Sequence, residues 1–415
     1  MISYDEARSI IQSTVQALPK TRTRLEKLHG MVLGEPVQAT HDLPLFDNSA
    51  VDGYGVSLAD VRGANEGVPV SLPVVEELRA GDSGPDNLPT NTAFKIFTGA
   101  VVPIGVDAVI MRENCIEEDG RVRILREPKA GENIRRRGEE YLRGQEILPA
   151  GVRVSPAVVG LLASLGQASF MVHKKPTVAI ITTGSELVKP GKALSPGKIY
   201  DSNSYALKAA CDALGIDDLL PLSCREDLSE TRKVLGLGLD FADLVISVGG
   251  LSAGDHDYVK QVYEELGVKT LIYKVAMKPG KPVYFGTFMH RRKNKMQYVF
   301  GLPGNPVSAL VTFNQLVKPA ILKMMGLENA IYGQVVSHVK AKLSRELRKS
   351  KGRTELVRAV ISTSGGELYA HPTSGQDSHM LGGLALANGL ILFPQESDVL
   401  AQGSIVAAEV LNWYS

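Results

Sequence analysis

Between residues 173 and 327 the hydrophobic pattern alternates between short apolar runs and longer stretches with helical spacing. Three apolar runs predict buried strands: TVAIITT (177–183), DLVISVGG (243–250) and YVFGLPG (298–304). In the stretches that follow them, apolar residues recur every three or four positions: SNSYALKAACDALG (202–215), DYVKQVYEELG (257–267) and PVSALVTFNQLVKPAILKMMG (306–326). This alternation predicts a mostly parallel sheet with helices on both faces.

Helical spacing also appears before this region. Ser3 and Glu6 have the spacing of a capping box, and the apolar residues after them predict an amphipathic N-terminal helix. Ser155 and Pro156 predict the start of a second helix that ends near Gly166. The stripe of the first helix requires an apolar surface on which to pack.

Two other regions contain short β-type runs separated by turn residues. Residues 44–140 include VPVSLPVVEEL and DAVIMREN, which predict a small β domain. Residues 328–415 include further runs such as ELVRAVIST and GLILFP, and they contain no convincing helix. We therefore expect this terminal region to form a β barrel or sandwich.

Turns rich in Gly and Pro follow the apolar runs between Ser247 and Pro306. In an open α/β sheet such turns meet in the crevice beyond the strand ends, where ligands bind. Lys278 and Lys281 lie on one of these turns, and Asp255 and Asp257 on another. This mixture of charges predicts an anionic ligand with a bound metal.

Within the first turn, Gly249 and Gly250 allow backbone N–H groups to approach a ligand. Asp255 and Asp257 cannot both cap the following helix. We expect one of them to cap it and the other to hold Mg²⁺ or a polar ligand group. Glu186, in TTGSEL, is either a ribose or metal ligand or a first-turn helix residue favoured by the dipole.

Two lysines are expected to act together. Lys274, Ala276 and Lys278 are spaced by two, which predicts one face of a strand and two ammonium groups on the same side. An anion or a carboxylate would then have to lie between them. A single lysine on an edge strand would instead be a solvated charge that discourages pairing with another chain. Asn305 and Pro306 suit the cap and first position of a helix.

The first β region carries two polar segments. In PLFDNSAVDGYGV (44–56), Asp52 lies among polar groups dense enough to form a turn or a site. GENIRRRGEEY (131–141) contains three consecutive arginines. They are either a solvated surface or a site whose planar guanidinium groups bind phosphate, and Arg137 is the candidate phosphate ligand.

Composition excludes several classes of function. Lys and Arg number 46 against 45 Asp and Glu, so the net charge of +1 gives no general field for nucleic acid or an anionic membrane. The three cysteines have no CxxC spacing, which argues against disulfides and a cysteine zinc site. The charged N-terminus lacks a signal-peptide core, and no segment approaches about 20 uninterrupted apolar residues. These features predict a cytoplasmic protein.

The motifs, taken in order, resemble those of the molybdopterin molybdenumtransferases, the family that includes bacterial MoeA and the gephyrin E domain. The matching segments are PLFDNSAVDGYGV, FTGAVVPIGVDAVIMRE, GENIRRRGEEYLRGQEIL, TTGSELV, IYDSN, SVGGLSAGDHDYV, KVAMKPGKPV and GLPGNPVSA. GQDSHMLGGLALANGLILFP (375–394) resembles the C-terminal domain of that family. The resemblance extends from about residue 40 to the end.

The resemblance implies a multidomain fold of the α/β plus β class. It implies an elongated helical part made of residues 1–43 and 141–172, and an inserted β domain over 44–140. A three-layer α/β/α molybdopterin-binding domain over 173–327 and a C-terminal β barrel over 328–415 complete the expected chain.

The resemblance also implies a reaction. Adenylylated molybdopterin and molybdate are the implied substrates, molybdenum enters the dithiolene, and AMP and molybdenum cofactor are released. Mg²⁺ is the implied cofactor. A homodimer with a cleft shared between subunits is implied, and a molybdopterin adenylyltransferase is a further candidate partner.

Roles carry over to positions of this chain that match the family motifs. Catalytic roles are expected for Asp52, Glu186, Asp257 and Lys278. With the turn residues included, the candidate substrate-binding set is Thr98, Arg137, Gly249, Gly250, Ser252, Asp255, Lys274, Lys281, Pro303 and Pro306. The candidate metal ligands are Asp52, Glu140 and Glu186. Glu140 and Glu226 stand where the family commonly has aspartate, so the charge is kept and the reach is longer.

Two alternatives remain at this point. One is a catalytically idle dimeric scaffold of the same fold that binds a partner peptide. The other is a metal-dependent nucleotide pyrophosphatase, which the glycine and lysine turns alone would permit. Retention of Asp52, Asp257, Lys274 and Lys278 favours an active molybdenumtransferase.

Overall fold

The structure of the protein is a computed structural model that describes residues 1–251, 258–292, 294–327 and 338–411. The chain forms two compact units. The larger one comprises residues 1–35, 151–159 and 168–415, and the smaller one comprises residues 36–150 and 160–167. The division into four domains stays a prediction.

A six-stranded sheet forms the centre of the larger unit. Its strands lie in the order Leu219–Cys224, Val178–Thr183, Leu244–Val248, Lys295–Leu302, Tyr284–His290 and Lys269–Tyr273. The first four strands are parallel, and the last two pair antiparallel. The predicted mostly parallel sheet is confirmed, and the three predicted strands are adjacent at its centre.

Both faces of this sheet are covered, as the alternation predicted. Val178 and Ile180 point into one core, and Ala179 and Ile181 point into the other. The helices that contribute to the two cores include Asn203–Ala213, Leu228–Phe241, Tyr258–Glu265, Pro306–Thr312 and Lys318–Met324, with a π-helical segment Phe313–Val317 between the last two. Within the described residues, the helices lack the length and apolarity to cross a bilayer.

One helix of the larger unit was absent from the expectations above. Leu228–Phe241 begins after Asp227, whose carboxylate accepts a hydrogen bond from the Glu230 backbone N–H at 2.8 Å. This is a side-chain cap, and its D-x-x-E spacing is the local signal that predicts a helix start.

The N-terminal helix Tyr4–Thr14 confirms the capping prediction. The Ser3 hydroxyl accepts from the Glu6 N–H at 3.1 Å. Its apolar stripe, including Ala7 and Ile11, is buried in the same hydrophobic core as one face of the central sheet. The remaining elements of this end of the unit are the 3₁₀ turn Leu25–Lys27 and the antiparallel strands Lys20–Arg24 and Ser169–His173. The second predicted helix is Pro156–Ser164.

The terminal region is a closed five-stranded barrel, which decides between barrel and sandwich. Its strands are His338–Leu343, Thr354–Ser364, Glu367–Pro372, Gly389–Phe393 and Ile405–Val410. Closure occurs because Thr354–Ser364 pairs with both Glu367–Pro372 and Gly389–Phe393. Two short pieces, Leu347–Arg348 and Val399–Leu400, pair beside it. A one-turn helix, Leu381–Ala385, lies where none was expected.

The smaller unit is built on a six-stranded sheet, as predicted for a β domain. The strand order is Ala108–Met111, Gly53–Val56, Ala93–Ile96, Val70–Leu78, Arg121–Ile124 and Cys115–Glu118. Two short antiparallel pairs join Asn48–Ser49 to Ile134–Arg135 and Val37–Gln38 to Glu146–Leu148. The 3₁₀ turn Arg112–Asn114 follows the first strand of this order.

Candidate functional site

The ends of three parallel strands meet at one edge of the central sheet, as the turn positions predicted. The Gly249 N–H donates to the Leu302 carbonyl at 3.1 Å, and the Thr183 hydroxyl donates to the Val248 carbonyl at 3.3 Å. Gly249 has φ of +93°, and a Cβ there would lie 2.6 Å from the Thr183 carbonyl oxygen. Only glycine fits this position without displacing backbone.

A cavity of about 620 Å³ opens at this edge. Five predicted site residues line it: Glu186, Gly249, Gly250, Pro303 and Pro306. The remaining lining residues are Thr182, Thr183, Leu187, Ile199, Tyr200, Ser202, Asn203, Glu226, Val248, Leu251, Pro282, Gly304, Asn305 and His379. Its size is that of a pocket for a cofactor-sized ligand.

Two carboxylates face this cavity. Glu186 folds back over Gly184, where an added Cβ would lie 2.8 Å from both of its carboxylate oxygens. A short strand, Leu187–Val188, follows Glu186, so the helix-start interpretation of this residue is wrong. Glu226 is exposed, and its N–H donates to the Ser185 hydroxyl at 3.3 Å. Carboxylate oxygens of this kind are suitable ligands for a hard cation such as Mg²⁺.

A two-stranded ribbon forms one side of the cavity. Leu187–Val188 pairs parallel with Ile199–Tyr200, and the Ile199 N–H donates to the Glu186 carbonyl at 3.0 Å. Ile199 and Tyr200 are 55% and 45% exposed, so an apolar and aromatic surface faces the opening. Such a surface suits a planar ring system better than it suits a bare anion.

The lysines are arranged differently from the prediction. The strand ends at Tyr273, and Lys274 has φ of +71°, so Lys274, Ala276 and Lys278 do not share one strand face. The period-two argument is therefore wrong. The Lys274 ammonium lies 4.9 Å from the Tyr273 ring centroid.

Lys278 lies instead on a short strand, Met277–Lys278, that pairs with the barrel strand Thr354–Ser364. Its ammonium is 3.2 Å from the Glu355 carboxylate. Lys281 is exposed on the following turn, where Pro282 lines the cavity. The two predicted lysines thus have separate partners, and neither of them, nor Lys281, is among the described residues that line the cavity.

The barrel region contributes one lining residue, His379, from the loop before Leu381–Ala385. The Asn305 amide donates to the Ser378 hydroxyl at 2.9 Å, and the Val307 N–H donates to the Ser378 carbonyl at 3.2 Å. Asn305 occupies the cap position, as predicted, but its side chain does not cap the helix. His379 follows in the lining and was missed, although GQDSHM is a dense polar segment before an apolar run.

The smaller unit brings together Asp52 and Thr98. The Asp52 carboxylate accepts from the Thr98 N–H at 2.9 Å and from the Thr98 hydroxyl at 2.7 Å. These hydrogen bonds lower the pKa of Asp52, with the backbone donor as the larger cause. Thr98, a candidate substrate-binding residue, therefore lies beside Asp52, a candidate catalytic residue.

Arg137 is paired within the same unit. Its guanidinium donates to the Asp42 carboxylate at 2.6 Å, and its backbone N–H donates to Asp47 at 2.8 Å. The pKa of Asp42 is lowered, first by the backbone hydrogen bond from Arg143 and then by Arg137. Arg136 donates to Asp47 at 2.6 Å. This part of the arginine run therefore organises the loop of the smaller unit.

The remaining predicted site residues have no described ligand geometry. Ser252, Asp255 and Asp257 lie outside the described residues. Glu140 is exposed. Among the residues that the structure describes, no three His, Cys, Asp or Glu side chains form a cluster suited to a metal. The ligand set Asp52, Glu140 and Glu186 stays a prediction.

Sequence profiles of known families match most of the chain. Residues 2–166 match the MoeA N-terminal region (domain I and II), and residues 340–411 match the MoeA C-terminal region (domain IV). Between them, residues 179–323 match a profile described as "Probable molybdopterin binding domain". The match over residues 179–323 contains the sheet edge and all of the cavity lining except His379.

Similar proteins and structures cover nearly the whole length. The chain is 38% identical over 381 residues to a molybdopterin molybdenumtransferase of Nostoc sp., covering 91% of this chain and 86% of that protein. It is 35% identical over 422 residues to the one of Haemophilus influenzae, covering 99% of each. A solved structure of a molybdopterin biosynthesis MoeA protein from Pyrococcus horikoshii has a TM-score of 0.80 and 29% identity, covering 99% of this chain and 100% of that one.

The parallel sheet with its strand-end cavity and the closed barrel define a multidomain protein of the α/β plus β class with a pocket for a cofactor-sized ligand. Identity near 35% over almost the whole chain is specific to one group within that class. The chain belongs to the molybdopterin molybdenumtransferase family.

Proposed function

We propose that this chain cleaves adenylylated molybdopterin in a molybdate-dependent reaction, inserts molybdenum into the dithiolene, and releases AMP and molybdenum cofactor. The observation that carries the proposal is the cavity at the strand ends. Its glycine turn, its GLPGNP turn and two glutamates lie together in a chain whose relatives are molybdopterin molybdenumtransferases.

Cleavage of a phosphoanhydride builds negative charge on phosphoryl oxygens. Donors fixed in advance stabilise this charge as it forms. The backbone at Gly249 and Gly250 can approach a ligand closely because neither residue has a side chain. Lys278, on the strand Met277–Lys278, and Lys281, on the turn after it, are the proposed sources of positive charge beside the cavity. These groups are the proposed binding site for the anionic part of the substrate.

Mg²⁺ is the proposed cofactor, and the chemistry of the cavity fits it, since Glu186 and Glu226 supply the oxygen ligands that this ion prefers. When bound, it would neutralise charge on the phosphoryl oxygens. Molybdate is the second proposed substrate, and the dithiolene sulfurs of adenylylated molybdopterin, rather than a cysteine of the chain, receive the molybdenum.

A homodimer is part of the proposal. Asp52 and Thr98 of one copy would complete the cavity of the other, with the ionised Asp52 positioning metal or oxyanion. The hydrogen bonds from Thr98 lower the pKa of Asp52 and so favour the ionised form that this role requires. A molybdopterin adenylyltransferase is the proposed supplier of substrate.

A cytoplasmic location is also proposed. The three cysteines are free thiols, and burial raises the pKa of Cys115 and Cys211 to about 12. Such thiols are poor nucleophiles and form disulfides slowly, which suits structural residues in a reducing compartment.

The decisive experiment incubates the purified protein with adenylylated molybdopterin, Mg²⁺ and molybdate and measures AMP. We expect AMP release that requires molybdate, together with product that activates a molybdenum-free apoenzyme. Release that ignores molybdate would indicate a pyrophosphatase, and absence of release would indicate a scaffold. Lys278→Ala should abolish turnover, while Lys340→Ala, on the barrel strand His338–Leu343, serves as the matched control.

A further inference from the structure

The barrel loop that reaches the cavity, residues 373–380, is held by one buried side chain. Arg358 is 1% exposed. Its guanidinium donates to the carbonyls of Gly375 at 2.6 Å, Asp377 at 3.2 Å and Met380 at 3.1 Å. A guanidinium has five N–H donors in a fixed plane, so three carbonyls bound to it fix the path of the loop backbone.

A second side chain fixes Arg358 itself. The Gln376 amide oxygen accepts from the Arg358 backbone N–H at 3.1 Å and from its Nε at 3.3 Å. The amide nitrogen donates to the Arg358 carbonyl at 2.9 Å and to the Thr373 carbonyl at 3.0 Å. Gln376 therefore pairs with the backbone of Arg358 as a neighbouring strand residue would.

This arrangement lies where a strand pair ends. The strand Glu367–Pro372 is paired with Thr354–Ser364 as far as the couple Ala359 and Pro372. At the next residue, Arg358, the backbone carbonyl accepts hydrogen bonds from the Thr373 N–H at 2.9 Å and from the Gln376 side-chain amide. The chain can therefore leave the barrel at this point without leaving a buried backbone group unpaired.

The loop places two residues at the cavity. Ser378 hydrogen-bonds with Asn305 and Val307, and His379 lines the cavity. His379 is exposed, and its N–H can donate to an oxygen of a bound ligand. Arg358 and Gln376 connect the barrel strand Thr354–Ser364 to the loop that carries this imidazole.

We propose that His379 is a substrate-contacting residue of the cavity and that Gln376, acting through Arg358, is the residue that positions it. This inference rests on the proposed function for its activity measurements. It has a second measurement, the chemical reactivity of His379 in the ligand-free protein, that does not depend on that function.

The test is a double-mutant cycle in molybdate-dependent AMP release. Gln376→Met keeps the length of the side chain and removes all of its hydrogen bonds. We expect Gln376→Met and His379→Ala each to lower kcat/KM by roughly 10- to 100-fold, as expected for a misplaced contact. The double variant should be no slower than His379→Ala alone, because both changes remove the same interaction.

Gln402→Met is the matched control, since Gln402 is an exposed glutamine of the same barrel and should show wild-type rates. Gln376→Glu keeps the acceptor oxygen and loses the amide donors, so its rate should lie between those of the wild type and Gln376→Met. If Gln376→Met does not fold, Gln376→Glu replaces it in the double-mutant cycle. Additive losses in the cycle, or wild-type rates for Gln376→Met, would overturn the proposal.

The independent measurement is the rate at which diethyl pyrocarbonate modifies His379, followed by peptide mass spectrometry. We expect Gln376→Met to change this rate at least about twofold and Gln402→Met to leave it unchanged, because only the former releases the loop. Equal rates in all three proteins would refute the positioning role. If the wild type released no AMP but the modification rate changed, the proposed function would fail while the positioning of His379 stood.

Discussion

Two hydrogen bonds from a single residue, Thr98, lower the pKa of Asp52. Both the N–H and the hydroxyl of Thr98 reach the same carboxylate oxygen. They favour the charged form, so the pKa of Asp52 is lower in the folded chain than in the unfolded chain. Any stability that this interaction contributes is present above the ordinary pKa and is lost as pH falls through the lowered value.

Thr98→Val removes the hydroxyl donor and leaves the backbone donor. We expect the pKa of Asp52 to rise towards its ordinary value but not to reach it, because the backbone N–H is the larger cause. Carboxyl NMR titration measures this directly. Thr92→Val is the control, since the Thr92 hydroxyl donates to the Pro89 carbonyl and to no carboxylate. An unchanged titration of Asp52 would contradict the assignment.

At the scale of elements, the cavity depends on turns that only particular residues permit. Gly249 combines a positive φ with a Cβ direction that points at the Thr183 carbonyl. Asn305 gives its amide to Ser378 and leaves its helix without a side-chain cap. The helix Leu228–Phe241 begins directly after the turn that carries the cavity-lining Glu226, and it keeps an aspartate cap at Asp227. Of these two turns, only the one at Asn305 therefore gives up its side-chain cap for a contact with the barrel loop.

Gly249→Ala should lower the free energy of unfolding by about 1–3 kcal/mol, the cost of holding an alanine in a left-handed conformation. Loss of AMP release should accompany it, because the turn that lines the cavity must move. Gly236→Ala is the matched control: Gly236 lies within the helix Leu228–Phe241, and an added Cβ meets nothing within 4 Å. This control should raise stability by about 0.5–1 kcal/mol. Equal stability of the two variants in urea denaturation would disprove the prediction.

The cap of the helix Leu228–Phe241 gives a second prediction at this scale. Asp227→Ala should cost about 1 kcal/mol of unfolding free energy, because the Glu230 N–H loses its acceptor. Asp227→Asn should cost much less, since asparagine caps about as well as aspartate. Thermal and urea unfolding of both variants make the comparison. A similar loss in both would indicate that charge, rather than the cap, matters at this position.

At the scale of the whole molecule, the residues of the proposed reaction divide between the two compact units. Asp52 and Thr98 belong to the smaller unit, and the cavity belongs to the larger one. The barrel contributes to the site of the larger unit, because His379 lines the cavity and the strand Thr354–Ser364 pairs with Met277–Lys278. A homodimer with a shared cleft makes a specific prediction for mixtures of variants.

Lys278→Ala and Asp52→Ala should each be inactive while remaining folded dimers. When the two are unfolded together and refolded, random pairing should restore about a quarter of wild-type activity, since half of the dimers would hold one intact cleft. Size-exclusion chromatography and AMP release together measure this. If both variants keep normal activity alone, the site is misplaced, and if the mixture regains none, the cleft is not shared.

Local periodicity was sufficient for much of the fold. The three central strands, the N-terminal cap at Ser3 and the alternation of strand and helix were all predicted, because each depends on neighbours within a few residues. The same reasoning failed for Lys274 and Lys278. A positive φ at Lys274 breaks the strand between them, and pairing with a distant barrel strand places Lys278 elsewhere.

The sequence by itself determined the class of fold, the turns at the strand ends and, through its motifs, the family. The tertiary structure alone decided which side chains share the cavity. Glu226 and His379 reach it from segments about 40 and 190 residues after Glu186. Their meeting depends on how the sheet orders its strands and how the barrel closes, and these are long-range pairings that no local pattern encodes.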